Sequence, residues 1–225
     1  MKALIFDVDG TLAETEAAHL DAFNEAFAGA GLPWRWSEAE YTRLLTTTGG
    51  KERIARYVRE AGGDPADFPI QALHRDKTVR YTGRIARGGI ALRPGVAELI
   101  AEARALGLGL AVATTTSPEN VEALVRATLG VGMTEVFSVV AAGDMVAAKK
   151  PAPDVYLLAL ERLGVAAADC VAFEDSRNGL LAAKAAGIFT VVTPGRFTAQ
   201  EDFTGADRLV ERLGPLASLG LAAEA

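Results

Sequence analysis

Short apolar runs alternate with segments of helical periodicity at the start of the chain and again after residue 88. Continuous apolar runs predict four buried strands and a weaker fifth, at Ala3–Phe6, Gly109–Ala113, Cys170–Phe173, Phe189–Val192 and, less clearly, Phe137–Ala142. Helical spacing between them predicts helices at Val96–Ala105, Pro118–Leu129, Asp154–Leu163 and Asn178–Ala186. Uninterrupted apolar strands that alternate with helices favour an α/β fold with a parallel sheet covered on both faces.

Residues 15–88 break this alternation. They show helical spacing, with apolar side chains at Leu20, Phe23 and Phe27, and they contain no convincing strand. The glycines and proline of residues 88–95 mark the far edge of the segment. We therefore predict an α/β core domain formed by residues 1–14 and 89–225, with a helical domain of residues 15–88 inserted into it.

Composition narrows the range of partners. The 225 residues are 50% hydrophobic and carry a net charge of −6 without a long basic run, so we expect no nucleic-acid partner. The acidic excess lies outside the predicted insert, because residues 15–88 carry 11 Lys/Arg against 10 Asp/Glu. An anionic substrate would then need local cations or a metal ion in the core domain.

The single cysteine, Cys170, excludes an intramolecular disulfide and fits a reducing compartment. No apolar run approaches the roughly 18 residues of a membrane span. We expect a cytoplasmic monomer with no membrane partner.

Two acids, Asp7 and Asp9, follow the first predicted strand. Ligands of open α/β sheets bind at the carboxyl ends of the strands. One carboxylate can act as a nucleophile while the other serves as general acid and then base. The alternative is that Gly10 permits a tight turn at the end of the strand and that the two acids are merely solvated.

Four hydroxyl residues, Thr114 to Ser117, stand between a predicted strand and a predicted helix. The N-terminus of a helix offers free N–H groups and a positive dipole end, which suits phosphate. The alternative is simple capping, with Ser117 at the N-cap and Pro118 at the first helical position.

Two further segments carry charged side chains, one in a predicted loop and the other after a predicted strand. Lys150 precedes a proline, which restricts its backbone, and its ammonium suits a phosphoryl oxygen; the alternative is a solvated surface pair with Lys149. Glu174 and Asp175 follow a strand and offer the carboxylate oxygens that Mg²⁺ prefers. Here the alternative is that Asp175 or Ser176 only caps the next helix.

The order Asp7-x-Asp9-x-Thr11, Thr114, Lys150-Pro151 and Glu174-Asp175 resembles the haloacid dehalogenase superfamily over nearly the whole chain. Within it, the sequence is similar to the phosphatase and β-phosphoglucomutase-like branch. The resemblance implies a Rossmann-like parallel sheet core with an inserted α-helical cap domain.

The same resemblance implies roles for these residues. Asp7 would attack phosphorus and become an aspartyl phosphate, while Asp9 would protonate the leaving group and then activate water. Thr114, the Thr115 amide and Lys150 would hold the phosphoryl group. It also implies Mg²⁺ as cofactor, with a ligand set of Asp7, Asp9 through its carbonyl, Glu174 and Asp175.

A phosphorylated sugar is the substrate that the resemblance implies, and the cap would recognise it. The substrate-binding candidates are Glu16, His19, Arg35, Gly49, Gly50, Lys51, Arg53, His74, Lys77, Thr115 and Thr116. The alternative for each basic residue is a solvated helix face, and Trp34 and Trp36 are expected to pack within the cap or its hinge.

Two segments, residues 47–53 and 141–146, resemble the CbbY-type members of the superfamily. That resemblance implies a phosphatase that removes the 1-phosphate of xylulose-1,5-bisphosphate, an inhibitory by-product of Rubisco. A sugar-phosphate mutase would use the same motifs, so it stays an alternative. A non-catalytic sugar-phosphate sensor is a second alternative, which the complete set of Asp7, Asp9, Lys150 and Asp175 disfavours.

Overall fold

A computed structural model describes residues 1–221 of the chain. Residues 222–225, the end of the predicted core domain, lie outside the described residues. Within residues 1–221, no helix combines the length and the apolar character that crossing a membrane requires.

The core is a six-stranded parallel sheet in the order β3-β2-β1-β4-β5-β6. Its strands are β1 (Ala3–Phe6), β2 (Gly109–Thr114), β3 (Val139–Ala142), β4 (Cys170–Glu174), β5 (Phe189–Val192) and β6 (Arg208–Leu209). All five predicted strands are present. β6 was not predicted, because its two residues are exposed and lack an apolar run.

Helices cover both faces of the sheet. The core helices are α5 (Val96–Ala105), α6 (Pro118–Leu129), α7 (Met133–Val136), α8 (Asp154–Leu163) and α9 (Arg177–Ala185). Alternate residues of β1 enter different apolar clusters: Leu4 and Phe6 pack with α5 and α6, whereas Ala3 and Ile5 pack with α8 and α9. This two-sided burial explains why β1 is apolar at all four positions, and the predicted α/β fold class is confirmed.

Residues 15–88 contain helices and no strand. The helices are α1 (Glu16–Gly29), α2 (Glu38–Leu44), α3 (Gly50–Glu60) and α4 (Ile70–Ala86). Their own apolar cluster is built around aromatic rings, in which Phe27 lies 4.8 Å from Trp36 and 5.4 Å from Trp34 between ring centroids. The segment is therefore helical as expected, while the domain boundaries at residues 14/15 and 88/89 stay predictions. We refer to residues 15–88 as the cap.

Candidate active site

The carboxyl ends of β1, β2 and β4 meet at one edge of the sheet. Phe6 is paired in register with Val112 on one side and with Phe173 on the other, so the residues after them also lie side by side. A cavity between this edge and the cap is lined from the core side by Asp7, Asp9, Thr114, Thr115, Thr116, Ser117, Lys150 and Asp175. The topology thus brings the four predicted motifs together.

Lys150 joins two acids behind the cavity. Its buried Nζ donates hydrogen bonds of 2.6 Å to Asp7 Oδ1 and of 2.6 Å to Glu174 Oε1. Burial lowers the pKa of Lys150, but the charges of Asp7 and Glu174 outweigh burial and raise it overall, so the side chain stays an ammonium. Lys149 turns away and donates to the Gly143 carbonyl at 2.5 Å, so the surface-pair alternative fails for Lys150.

Two carboxyls at the site have raised pKa values. Burial, aided by the charges of Glu174 and Asp9 and opposed by Lys150, raises the pKa of Asp7 to about 8. Burial also raises the pKa of Asp175 well above its usual range, and the charges of Asp7 and Glu174 add to the effect. A single lysine therefore does not balance these buried acids, and an ionised Asp7 near neutral pH needs a further cation.

The residues present fit a divalent metal ion. Carboxylate oxygens of Asp7, Glu174 and Asp175 lie within 4.8 Å of one another, and they are hard oxygen ligands of the kind Mg²⁺ takes. Glu174 Oε2 is buried without a hydrogen-bond partner among the residues described, so a cation or its bound water would satisfy it. Ser176 caps α9 by accepting a hydrogen bond from the Gly179 N–H at 3.2 Å, which leaves Asp175 free for the site.

Asp9 is held as a carboxylate. Its Oδ1 accepts a 2.6 Å hydrogen bond from the Thr15 hydroxyl and lies 2.9 Å from His19 Nε2, while Lys77 Nζ lies 2.7 Å from His19 Nδ1. Burial pushes the pKa of Asp9 up, but His19, Thr15 and Lys77 outweigh it and hold the pKa well below its usual range. Because Lys77 can only donate, it orients the ring so that Nε2–H faces Asp9.

Most of the predicted substrate-binding residues line the same cavity. These are Glu16, His19, Gly49, Gly50, Arg53, His74, Lys77, Thr115 and Thr116. Glu16 Oε2 accepts a 2.6 Å hydrogen bond from the Tyr41 hydroxyl, and that hydroxyl accepts a 3.0 Å bond from Arg53, so the three form a connected polar wall. Their contact with a substrate stays a prediction.

Two predicted binding residues lie outside this cavity. Arg35 is exposed, because its neighbours Trp34 and Trp36 turn into the aromatic cluster of the cap, and the expectation that it faces the cleft is wrong for this structure. Lys51 forms an ion pair with Asp144 and lines an adjacent groove of about 600 Å³ between cap and core.

Several contacts at the site were missed from the sequence. Thr15 lies one helical turn before His19, and this i, i+4 spacing is a signal that predicts a shared partner such as Asp9. Two other contacts have no comparable signal, because neither residue belongs to a predicted motif. They are the hydrogen bond from Tyr156 to Glu174 Oε1 and the bond of Thr198 to Asp175.

The chain is similar to known hydrolases along its length. A model of the haloacid dehalogenase-like hydrolase family matches residues 1–187. Protein CbbY of Cereibacter sphaeroides is 58% identical over 226 residues, covering 99% of this chain and 98% of the relative. Phosphoglycolate phosphatase of Escherichia coli (strain K12) is 32% identical over 201 residues, covering 83% of this chain and 79% of the relative.

A solved structure agrees with the fold. The crystal structure of a mutant CbbY from Rhodobacter sphaeroides in complex with xylulose-(1,5)bisphosphate superposes with a TM-score of 0.94 at 58% identity, covering 97% of this chain and 99% of that one. The family match, the relatives and the order of motifs around one cavity all lead to the same assignment. The chain belongs to the haloacid dehalogenase-like hydrolase family, and its relatives identify it as a phosphatase of that family.

Proposed function

We propose that this chain is a Mg²⁺-dependent phosphatase that removes the 1-phosphate of xylulose-1,5-bisphosphate through an aspartyl-phosphate intermediate. The observation that carries the chemistry is that Asp7, bonded to Lys150, lines the same cavity as Asp9, bonded to Thr15 and His19. The complex of the R. sphaeroides CbbY mutant, at 58% identity, supports the choice of substrate.

In the first step, a carboxylate oxygen of Asp7 attacks the phosphorus of the 1-phosphate. The Asp7 O–P bond forms while the bond between phosphorus and the sugar O1 breaks, and Asp9 gives its proton to O1. Lys150 and the hydroxyl of Thr114 hold oxygens of the phosphoryl group in place while it is transferred.

In the second step, Asp9 takes a proton from a water molecule that attacks the phosphorus of the aspartyl phosphate. The Asp7 O–P bond breaks, inorganic phosphate leaves and the Asp7 carboxylate is restored. The contacts of Asp9 with His19 and Thr15 and the charge of Lys77 keep its pKa well below the usual range, which favours the ionised form that this second step requires. For the first step Asp9 must carry a proton, and separation from His19 or Thr15 would allow it to do so.

Mg²⁺ would be held by Asp7, the Asp9 carbonyl, Asp175 and Glu174. When bound, it supplies positive charge that balances these acids and the phosphoryl oxygens. We also propose a role in carbon fixation, because the CbbY-type proteins that the sequence resembles remove a Rubisco inhibitor. A cytoplasmic location is proposed because the single cysteine fits a reducing compartment.

The direct test follows xylulose-1,5-bisphosphate by phosphorus NMR in the presence of purified protein and MgCl₂. We expect inorganic phosphate and xylulose 5-phosphate in equal amounts. Asp7→Asn should abolish turnover, whereas Asp67→Asn, a change to an exposed aspartate, should not. Absence of phosphate release would refute the hydrolysis, and an isomeric sugar phosphate would identify a mutase instead.

A further inference from the structure

We propose that Arg93 is a positioning residue for Asp175, and the inference rests on the proposed Mg²⁺ site. Arg93 follows the second connection between cap and core, and its backbone N–H donates a 2.8 Å hydrogen bond to the Leu12 carbonyl. It belongs to none of the motifs that carry the chemistry. Its side chain nevertheless lies between the two backbone segments that enclose the Asp175 carboxylate.

The Arg93 guanidinium bonds three main-chain carbonyl oxygens. Nη1 donates to Gly10 and, at 2.8 Å, to Thr193, while Nη2 donates to Pro194 at 2.8 Å. Nε lies 3.4 Å from Glu14 Oε1, and the side chain is only 12% exposed. The planar fork of donors in arginine can hold several acceptors at fixed angles, which the single ammonium of lysine cannot.

The segments that Arg93 joins are packed directly against Asp175. A Cβ atom on Gly10, whose φ is +85°, would lie 2.1 Å from Asp175 Oδ2, and a Cβ atom on Gly195 would lie 2.9 Å from it. Both backbones therefore approach the carboxylate more closely than a side chain would permit. The position of Asp175 depends on how these two segments are held relative to each other.

Thr198 adds a direct contact from the second segment. Its hydroxyl lies 2.7 Å from the Asp175 carbonyl oxygen and 3.1 Å from Oδ2, and it accepts a 2.9 Å hydrogen bond from the Gly195 N–H. The turn of residues 194–198 thus begins at a carbonyl bonded by Arg93 and ends at a hydroxyl bonded to Asp175. Loss of the guanidinium would free the start of this turn and the Gly10 carbonyl together.

Weaker metal binding is the expected consequence. Groups that orient metal ligands without touching the metal alter its affinity by roughly 10- to 100-fold when they are replaced. Arg93 acts through backbone segments, so we expect the low end, about a tenfold rise in Kd. Substrate groups of the cap lie elsewhere, so the KM for the sugar phosphate at saturating Mg²⁺ should change little.

The test measures Mn²⁺ binding to the full chain by electron paramagnetic resonance, without substrate or turnover. Arg93→Met removes the charge and the fork, and Arg93→Lys keeps the charge alone. Both should raise the Kd for Mn²⁺ about tenfold. Glu14→Gln is the matched control, because it removes the ion pair and leaves the carbonyl bonds, while its amide oxygen can still accept from the Arg196 N–H, which lies 3.3 Å from the Glu14 carboxylate. Its Kd should stay near that of the unaltered chain.

The outcomes separate the inference from the function on which it rests. Folded Arg93→Lys or Arg93→Met protein that binds Mn²⁺ like the unaltered chain would overturn the inference. Equal weakening by Glu14→Gln would also overturn it, because the ion pair would then be responsible. If Arg93→Met does not fold, the lysine variant decides. Failure of the unaltered chain to bind Mn²⁺ would overturn the proposed metal site and the inference with it.

Discussion

Lys150 and Asp7 form a buried ion pair in which the ammonium nitrogen lies 2.6 Å from the carboxylate oxygen. The ion pair does not return the pKa of Asp7 to the usual range of an aspartate, because burial and the neighbouring carboxylates still raise it to about 8. Lys150 divides its charge between Asp7 and Glu174. Asp7, Glu174 and Asp175 together would carry three negative charges against the single positive charge of Lys150, so the site is short of two positive charges, which is the electrostatic reason to expect a bound divalent cation.

Metal-free protein should lose stability as pH rises from about 4, the usual pKa of an aspartate in an unfolded chain, to about 8. Over this range the folded state holds the proton of Asp7 more tightly than the unfolded state, so the free energy of unfolding falls with pH. The raised pKa of Asp175 acts in the same direction. Urea unfolding in EDTA at several pH values measures the slope.

Asp7→Asn should reduce this slope, because it removes the buried carboxyl, and Asp67→Asn should leave it as it is. Added Mg²⁺ should also flatten the slope by stabilising the ionised form in the folded state. A metal-free protein whose stability rises between pH 5 and about pH 8 would contradict the assignment of a raised pKa to Asp7.

The local pattern of apolar and polar residues was sufficient to predict the sheet and the motifs. β1 is an uninterrupted apolar run, and β2 and β4 are polar only at their last residues, Thr114 and Glu174. In a parallel sheet the residues at the carboxyl ends of such runs lie at one edge. Asp7, Thr114 and Glu174 therefore met as predicted. β6 escaped prediction because Arg208 and Leu209 are exposed and two residues long, so the strand exists only through its pairing with β5.

Contacts between residues that are far apart in the sequence could not be predicted from the local pattern of residue types. Thr198 bonds Asp175 over 23 positions of sequence, and Arg93 bonds Gly10 over 83. Such pairs depend on where turns and cap connections return to the sheet edge, which no short window encodes. The prediction that Arg35 binds substrate in the cleft was wrong for a related reason. Trp34 and Trp36 on either side pack into the aromatic cluster of the cap, which leaves Arg35 exposed.

Replacing His19 with asparagine should move the kcat profile to higher pH. Burial raises the pKa of Asp9, but the contacts of Asp9 with His19 and Thr15 and the charge of Lys77 outweigh it, and His19 contributes most among them. Without that contribution the pKa of Asp9 rises, so both its acidic and its basic forms act at higher pH. Initial rates with saturating sugar bisphosphate, measured across pH, report the shift.

His74→Asn is the control for this change, since His74 is the second histidine of the chain and lines the cavity without bonding Asp9. Its kcat profile should keep its position on the pH axis. The same displacement in both variants would show that loss of Asp9 contacts is not the cause.

Tyr156→Phe should destabilise the protein by about 1–3 kcal/mol, because it leaves a buried charged acceptor short of a donor. The Tyr156 hydroxyl donates to Glu174 Oε1, and both residues are buried. Tyr57→Phe is the matched control, because the Tyr57 hydroxyl makes no hydrogen bond to any of the residues that the structure covers. Urea unfolding with Mg²⁺ present compares the two, and an equal loss would exclude a special role for the Glu174 bond.

Gly50→Ala should impair binding of the sugar part of the substrate while sparing the phosphoryl site. A Cβ atom at Gly50 would lie 2.6 Å from His74 Nε2 and 3.3 Å from Phe23 Cζ, so His74 must move within the cavity wall. Overpacking of this kind costs about 1–3 kcal/mol. If that cost falls on the bound state, KM for the sugar bisphosphate rises about tenfold.

The small substrate p-nitrophenyl phosphate separates the two halves of the site, because it needs the core groups around Asp7 and little of the cap. Its kcat/KM should change by less than about twofold in Gly50→Ala, since about 0.4 kcal/mol corresponds to that ratio. Gly83→Ala is the matched control in the same cap, because its Cβ atom would meet only Arg87 Nη1, at 4.0 Å. Removing that glycine, which lies in the last turn of α4, should stabilise the helix by about 0.5 kcal/mol and leave KM unchanged. Equal KM values for the sugar bisphosphate in the two variants would mean that the wall formed by Gly50 and His74 does not contact the sugar.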